Sequence, residues 1–333
     1  MYDLIVYIGR FQIFHNGHKD VSQKISKMAK KTLILVGSID SPRTIKNPFS
    51  FEEVKDMIKK SVHIQYLQVS GVQDYTYDIN RWIEAVSKII KDACPNGKVA
   101  IAGYKKDNTS NYLDYFPQYD FIEMNSYHHY GDLVNASDLR NLYFEGKLGF
   151  IQNYMPIPVF NKLLEFKTKK EYIELQDEYN FNKDHKSQWD TPFPSIFVTT
   201  DALVVQSGHL LLIKRKNNPG KGLWAMPGGY IKVDEDIKTS MIRELNEETN
   251  IHLQDEILER NIESVKIFDS PDRSMRGRII THVYLIVLDD SKPLPKVVAG
   301  DDAEEAEWVP IGDFYNMRKT MFSDHYHIIE SMI

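Results

Sequence analysis

Residues 229–251 read GYIKVDEDIKTSMIRELNEETNI. Behind Gly229 come Glu235 and then the cluster Arg243, Glu244, Glu247 and Glu248. Glu244 and Glu248 are spaced i,i+4, with Glu247 at i+3 from Glu244, so on a helix the three carboxylates project near one face. Like charges so placed weaken a bare helix, by roughly a few tenths of a kcal/mol per pair. A divalent cation at that face relieves the conflict, and hard carboxylate oxygens suit Mg²⁺ or Mn²⁺. Glu247 and Glu248 taken alone would read as an ordinary solvated acidic face. The spacing predicts a helix over about 235–249, entered from the Pro227-Gly228-Gly229 turn. Asn250 then stands at the left-handed cap position, where it is the best residue after glycine.

The rest of the chain gives this helix its setting. The 333 residues are enough for two domains, and 42% hydrophobic with 26% charged residues is ordinary for a globular protein. No run approaches the roughly 18 apolar residues that a membrane span needs. The N-terminus, MYDLIVYIGRF, reads as a strand rather than a cleavable leader. Cys94 is the single cysteine, which excludes an internal disulfide and a cysteine-based metal site; we read it as inert and expect a cytoplasmic protein. The net charge of −6 argues against nonspecific nucleic-acid binding but not against a local basic pocket for small nucleotides. Nucleic acid and membrane are therefore not expected partners, and a homo-oligomer is left open.

The first half alternates strands (DLIVYIG, TLILVGSI, IQYLQVSGV, KVAIAGY, YDFIEM) with helical patterns, as in a doubly wound, mostly parallel sheet. A helical segment near 158–179 closes it. The polar stretch NFNKDHKSQWDTPFPS, with Pro192 and Pro194, reads as a linker. The division expected is 1–180, a linker over 181–192, and 193–333. The second half opens with strands around a Ser207-Gly208 hairpin and reads as α+β.

Residues 9–18 read GRFQIFHNGH. His15 and His18 fall where a buried strand turns into a helix, and helix N-termini favour phosphate. This stretch resembles the HxGH nucleotidyltransferases, and more narrowly the archaeal-type nicotinamide mononucleotide (NMN) adenylyltransferases. The similarity continues through IKNPF (45–49), VQD (72–74), GYKKDNTSNYLDYFP (103–117) and SDLR (137–140), over about residues 1–145. It implies a Rossmann-like nucleotidyltransferase domain that joins NMN to the AMP moiety of ATP, giving NAD and pyrophosphate. His15, His18 and Arg140 would act on the ATP phosphates, with Arg10, Lys46 and Ser137 as further phosphate groups. Gly9, Phe11, Asp74, Asn80, Trp82, Gly103, Tyr104 and Asp107 would complete the nucleotide site. The attacking phosphate is already an anion, so the chemistry is positioning and charge neutralisation, with Mg²⁺ held mostly by ATP. Two readings stand for Trp82, a stacking platform for the cationic nicotinamide or a core residue on the helix of Ile79, Ile83 and Val86. Two also stand for Asp74, a carboxamide acceptor or a strand-end turn residue. The chain departs from the family at Glu53-Val54, where an Arg is frequent.

Around the acidic helix, NPGKGLWAMPGG precedes the box, and the whole of about 193–312 resembles the Nudix hydrolases. Asn250 replaces the family's glycine. The resemblance implies an α+β Nudix domain with Glu244 and Glu248 as catalytic groups and Gly228, Glu244, Glu247 and Glu248 as Mg²⁺ or Mn²⁺ ligands. Arg243 would orient the glutamates or form a surface ion pair. DSPDRSMRGRIITHVYL is similar to an element of the ADP-ribose pyrophosphatase type, making Arg273, Arg276 and Arg278 candidate ADP-ribose-binding residues, or else a solvated basic hairpin. Residues 299–310 resemble that group's loop with a late acid, leaving Asp301, Asp302 and Glu304 as alternatives. His325 and His327 read as surface residues rather than a metal site. The combined expectation is a bifunctional enzyme of NAD metabolism that also hydrolyses ADP-ribose to AMP and ribose 5-phosphate. Two alternatives remain: a transferase for another phosphate acceptor, and a Nudix half that senses ADP-ribose without cleaving it.

Overall fold

The computed structural model describes residues 1–104, 115–125, 128–129, 132–188 and 195–333. The chain divides into two compact units, Met1–Asp177 and Glu178–Ile333. Among the described residues no helix is long and apolar enough to cross a membrane.

The first unit comprises β1 (Tyr2–Gly9), α1 (Asn16–Ser26), β2 (Ala29–Ile39), α2 (Phe51–Ser61), β3 (Leu67–Gln73), α3 (Ile79–Ala93), β4 (Val99–Gly103) and β5 (Asp120–Glu123). The short pair β6 (His128–His129) and β7 (Asp132–Leu133) follows, then α4 (Ala136–Phe144), α5 (Leu148–Ile151) and α6 (Ile157–Phe166). The main sheet runs β3-β2-β1-β4-β5 with every pairing parallel, the doubly wound arrangement read from the alternation. Alternate residues of β1 serve opposite faces. Leu4, Val6 and Ile8 pack with Val86 and Ile90 of α3, while Ile5 packs with Val21 and Ile25 of α1. Burial on both faces explains the unbroken apolar run. Strand order reverses between β1 and β4, and ligands of such sheets bind beyond the strand ends at that point.

Helix α7 (Lys170–Gln188) crosses the boundary between the units. The first eight residues of the expected linker are thus helical; the polar composition of 181–188 is that of a helix with one covered face, which a composition argument cannot distinguish from a loop.

The second unit comprises β8 (Ile196–Gln206), β9 (His209–Arg215), β10 (Trp224–Ala225), β11 (Gly228–Tyr230), α8 (Ile237–Thr249), α9 (Asp255–Arg260), β12 (Ile262–Phe268), β13 (Arg278–Val287), β14 (Ala303–Pro310), α10 (Ile311–Phe314) and α11 (His325–Glu330). Its mixed sheet runs β10-β9-β8-β13-β12, with β11 added to β8 and β14 to β9. The resemblance predicts a loop over 299–310, but 303–310 form β14, with Ala303 and Val309 buried and Glu304 and Glu307 exposed. Helix α8 buries Met241 and Leu245 against Ala202, Val204 and Leu211. It begins two residues later than the spacing suggests because Asp236 is the cap, accepting the Thr239 N–H at 2.9 Å. Asn250 ends it at φ 46°, ψ 42°, and its side-chain amide donates to the Val298 carbonyl at 2.9 Å.

Candidate active sites

The first site forms where β1 gives way to α1. A Cβ at Gly9 would meet the Phe11 ring at 3.0–3.3 Å, so glycine lets Phe11 fold back over the strand end. Phe11 itself holds φ 55°, a left-handed conformation a bulky residue rarely adopts. His15 is the N-cap of α1. Its Nδ1 accepts the Gly17 N–H at 3.1 Å, and His18 Nδ1 accepts the His15 N–H at 3.2 Å. The two histidines make a reciprocal capping box, a duty usually given to Ser/Thr and Glu, and their rings stack at 3.7 Å. A ring nitrogen that accepts carries no proton, so each imidazole is the neutral Nε2–H tautomer. Burial pushes the His15 pKa down to about 4. His18 lies well below the ordinary histidine value because of burial, then His15 and Arg140, against a backbone hydrogen bond with Ile13. At neutral pH the pair is uncharged, each ring contributing one Nε2–H donor.

Gln12, which the sequence reading passed over, ties this loop to the NPF element. Its amide donates to the Phe49 carbonyl at 2.8 Å and accepts the Phe49 N–H at 3.0 Å. Arg140 is buried, donating to the Gln12 carbonyl and to Ser137 Oγ at 3.0 Å. Burial and repulsion from Arg10 lower its pKa to about 10, which leaves it a cation at neutral pH. The structure therefore brings segments 10–18, 47–49 and 137–140 together. Gly103 closes β4, the neighbour of β1, and Asp74 follows β3 two strands away. Lys46 is half-buried and Asn80 is exposed at the start of α3. Trp82 is half-buried and packs against the core, its ring 5.8 Å from Phe116. Asp107 lies outside the described residues.

The second site is a cavity of about 900 Å³ in the second unit, lined on one side by Gly228, Gly229 and the acidic end of α8. The three glutamates do not share an outward face. Glu248 turns inward, 4% exposed, and accepts the Gly228 N–H at 2.8 Å. Burial, opposed by that hydrogen bond and reinforced by Glu244 and Asp201, raises its carboxyl to about 8. Glu244 and Glu247 are held instead by Arg243, which donates to them at 2.7 and 2.9 Å and to Glu235 at 2.8 and 3.0 Å. A guanidinium thus already relieves part of the like-charge conflict that the sequence assigned to a metal. Burial raises the Glu244 carboxyl, with Arg243 opposing. Among the described residues no three acids or histidines close around one point. The donor set nevertheless fits a hard divalent cation: carboxyl oxygens in one cavity, including the buried Glu248, whose ionised form carries a desolvation cost that a cation would offset. Gly229 sets their position, because a Cβ there would lie 2.7–2.8 Å from the Glu244 carboxylate.

The arginines separate. Arg273 donates Nε and Nη2 to the two Asp324 oxygens at 3.0 Å each, a pair with side chains 6% and 7% exposed. Arg278 donates to the Asp269 carbonyl and carboxylate and does not line the cavity. Arg276 does line it, stacked 5.3 Å from the Tyr230 ring, with a buried Nε that has no hydrogen-bond partner among the described residues. Of the late acids, Asp301 and Asp302 line the cavity and Glu304 does not. His325, read as surface, is buried in the cavity wall, with Nδ1 accepting the Met226 N–H at 3.2 Å. Amphipathic spacing in so short a helix gave no warning. Two further groups went unread. Asp201, buried in mid-strand and accepting from Thr281 Oγ1, is signalled by a lone acid inside the apolar run of β8. Arg215, half-buried at the end of β9, stacks 4.4 Å from Phe322.

Family models match on both halves: cytidylyltransferase-like over residues 6–103 and NUDIX domain over 196–332. A solved structure from Francisella tularensis, described as a bifunctional NMN adenylyltransferase/ADP ribose pyrophosphatase complexed with AMP and Mn ion, is 38% identical. It superposes with TM-score 0.92, over 100% of this chain and 98% of that one. The chain belongs to the bifunctional NMN adenylyltransferase/ADP-ribose pyrophosphatase family. A single-function relative matches each unit. A nicotinamide/nicotinic acid mononucleotide adenylyltransferase of Acinetobacter baylyi is 30% identical over 185 residues, 54% of this chain and 94% of that protein. An ADP-ribose pyrophosphatase of Methanocaldococcus jannaschii is 36% identical over 137 residues, 40% of this chain and 70% of that protein.

Proposed function

We propose that the transferase unit joins NMN to the adenylyl group of ATP and that the Nudix unit hydrolyses ADP-ribose. The observation that carries this is the end-to-end similarity to a bifunctional enzyme, supported by a chain of two compact units with a candidate site in each. In the transferase unit a 5′-phosphate oxygen of NMN attacks the α-phosphorus of ATP, and the bond to pyrophosphate breaks. No general base is required, because the nucleophile is an anion. His15 and His18 offer neutral Nε2–H donors to phosphate oxygens, and Arg140 with Arg10 supplies fixed positive charge near them. Gln12 positions this loop by its reciprocal bonds to Phe49. The half-buried Trp82 retains its candidate role as the nicotinamide platform.

In the Nudix unit, water attacks one phosphorus of the diphosphate and the bridging P–O bond breaks, giving AMP and ribose 5-phosphate. Glu244, Glu247, Glu248 and the Gly228 turn would hold Mg²⁺ or Mn²⁺, which when bound polarises the phosphoryl group and acidifies water. Asp301 is the late acid we favour to accept the proton from water, since it lines the cavity close enough to Glu244 to raise that group's pKa. Arg215 and Arg276 balance the diphosphate charge. The test uses parallel assays on the full chain: ATP with NMN, and ADP-ribose with Mg²⁺ or Mn²⁺. Glu248→Gln should abolish the second and spare the first. His18→Ala should do the reverse, with a loss of about 10²-fold or more. Folded variants that lose both activities together would contradict the two-site reading.

A further inference from the structure

The far half of α7 enters the Nudix cavity. Glu178, Phe181, Asn182 and His185 fall at i, i+3, i+4 and i+7, one stripe of the helix. Glu178 fastens that stripe to the second unit by accepting the Gly220 N–H at 3.1 Å. Asn182 is buried, and Phe181 and His185 line the cavity. The side of the substrate these two meet follows from the other aromatic rings there. Tyr230 already carries the Arg276 guanidinium over its face at 5.3 Å, and Phe322 carries Arg215 at 4.4 Å. Phe181 remains 39% exposed, with the His185 ring 6.4 Å away at an interplanar angle of 33°. The cavity therefore has carboxylates, two guanidiniums seated on aromatic rings, and at Phe181 an aromatic ring on which, among the described residues, no cation is seated. A dinucleotide-like diphosphate spanning carboxylates and guanidiniums would extend a planar ring system toward that face.

We propose that Phe181, with His185 beside it, is the stacking platform for the nucleobase of the Nudix substrate, making the far half of α7 part of the hydrolase specificity site. This rests on the ADP-ribose reading above and adds the residues that choose the base. Base–aromatic stacking has a magnitude that alanine substitution reads as roughly tenfold or more in affinity.

The experiment is ADP-ribose hydrolysis by the full chain, with AMP and ribose 5-phosphate as competing inhibitors. Phe181→Ala should raise KM for ADP-ribose and Ki for AMP by about tenfold, with kcat moving much less and the ribose 5-phosphate Ki unmoved. Phe181→Trp should restore AMP affinity. A near wild-type kcat for ADP-ribose in the same preparations reports a folded Nudix unit. Unchanged AMP inhibition in Phe181→Ala overturns the inference, as does weakening of ribose 5-phosphate alone, which would seat the other end of the substrate there. Equal weakening of both inhibitors, unrescued by Trp, marks a merely structural role and also overturns it. Wild-type protein that leaves ADP-ribose intact would instead overturn the hydrolase reading itself.

Discussion

Arg273 separates a folding role from a binding role. Its fork meets both Asp324 oxygens at 3.0 Å, with side chains 6% and 7% exposed. Arg273→Met leaves a buried carboxylate without its cation, which costs about 3–5 kcal/mol. For a unit of this size, at about 2–4 °C per kcal/mol, the Nudix transition should fall by about 6–20 °C. The double variant Arg273→Met/Asp324→Leu removes the stranded charge and should recover more than half of the loss, because a buried ion pair is close to neutral against an apolar pair of similar volume. Arg276→Met behaves oppositely. It forfeits contact with Tyr230 worth about 1 kcal/mol, but weakens the hold on a diphosphate, raising KM. Calorimetry of the full chain, paired with ADP-ribose kinetics, reads both. An Arg273→Met protein that melts like the wild type yet shows raised KM would place the Arg273 fork on the substrate and refute the reasoning.

Three further outcomes are expected. The His15 pKa of about 4 lies below the ordinary 6.5, so the unfolded chain takes up the proton first as pH falls. Stability of the transferase unit should be full above about pH 6.5 and decline toward pH 4, by roughly 3 kcal/mol from His15 alone, with His18 adding in the same direction. Urea unfolding of His15→Asn, which keeps a capping side chain, should show a flatter dependence; an equal slope would acquit His15. At the left-handed cap, Asn250→Gly should stay within about 1 kcal/mol of wild type, whereas Asn250→Ala should cost about 2 kcal/mol in thermal unfolding. Gly229→Ala should lower hydrolase kcat at least about tenfold by displacing Glu244, with transferase activity intact; normal turnover would mean that the carboxylate moves aside freely.

The parts of the fold most open to sequence reading were those where one physical rule acts alone. Leu4, Ile5, Val6 and Ile8 form an unbroken apolar run because α1 and α3 cover both faces of β1, and that run announced a parallel sheet. Asn250 announced the end of α8 because few residues tolerate φ 46°. The glutamates of α8 announced their helix by spacing, and the histidines of α1 announced theirs by position after a strand. What spacing did not disclose was that His15 and His18 cap the helix with their Nδ1 atoms, which is what makes them neutral donors at Nε2. A strand such as β14 was hidden because its outward face is acidic and only Ala303 and Val309 are buried.

Charge partnership is the property a linear chain conceals most completely. Arg273, Arg276 and Arg278 lie within six positions, yet Arg273 is locked to Asp324 in the cavity wall, Arg278 is held by Asp269 outside it, and Arg276 lies in the cavity over Tyr230. The partners that decide the fates of Arg273 and Arg276, Asp324 and Tyr230, are far away in sequence, whereas Asp269 is nine positions from Arg278. Arg215 acquires its place beside the acids for the same reason, as β9 runs next to β8, which carries Asp201. The same logic extends to α7. Phe181 and His185 fall in the expected linker, yet α7 carries them to the cavity, with Glu178 one turn earlier accepting the Gly220 N–H. Specificity in the Nudix unit would then depend on a helix that begins in the transferase unit. Replacing residues 178–188 with a flexible linker would therefore alter hydrolase KM even with the Nudix helix untouched.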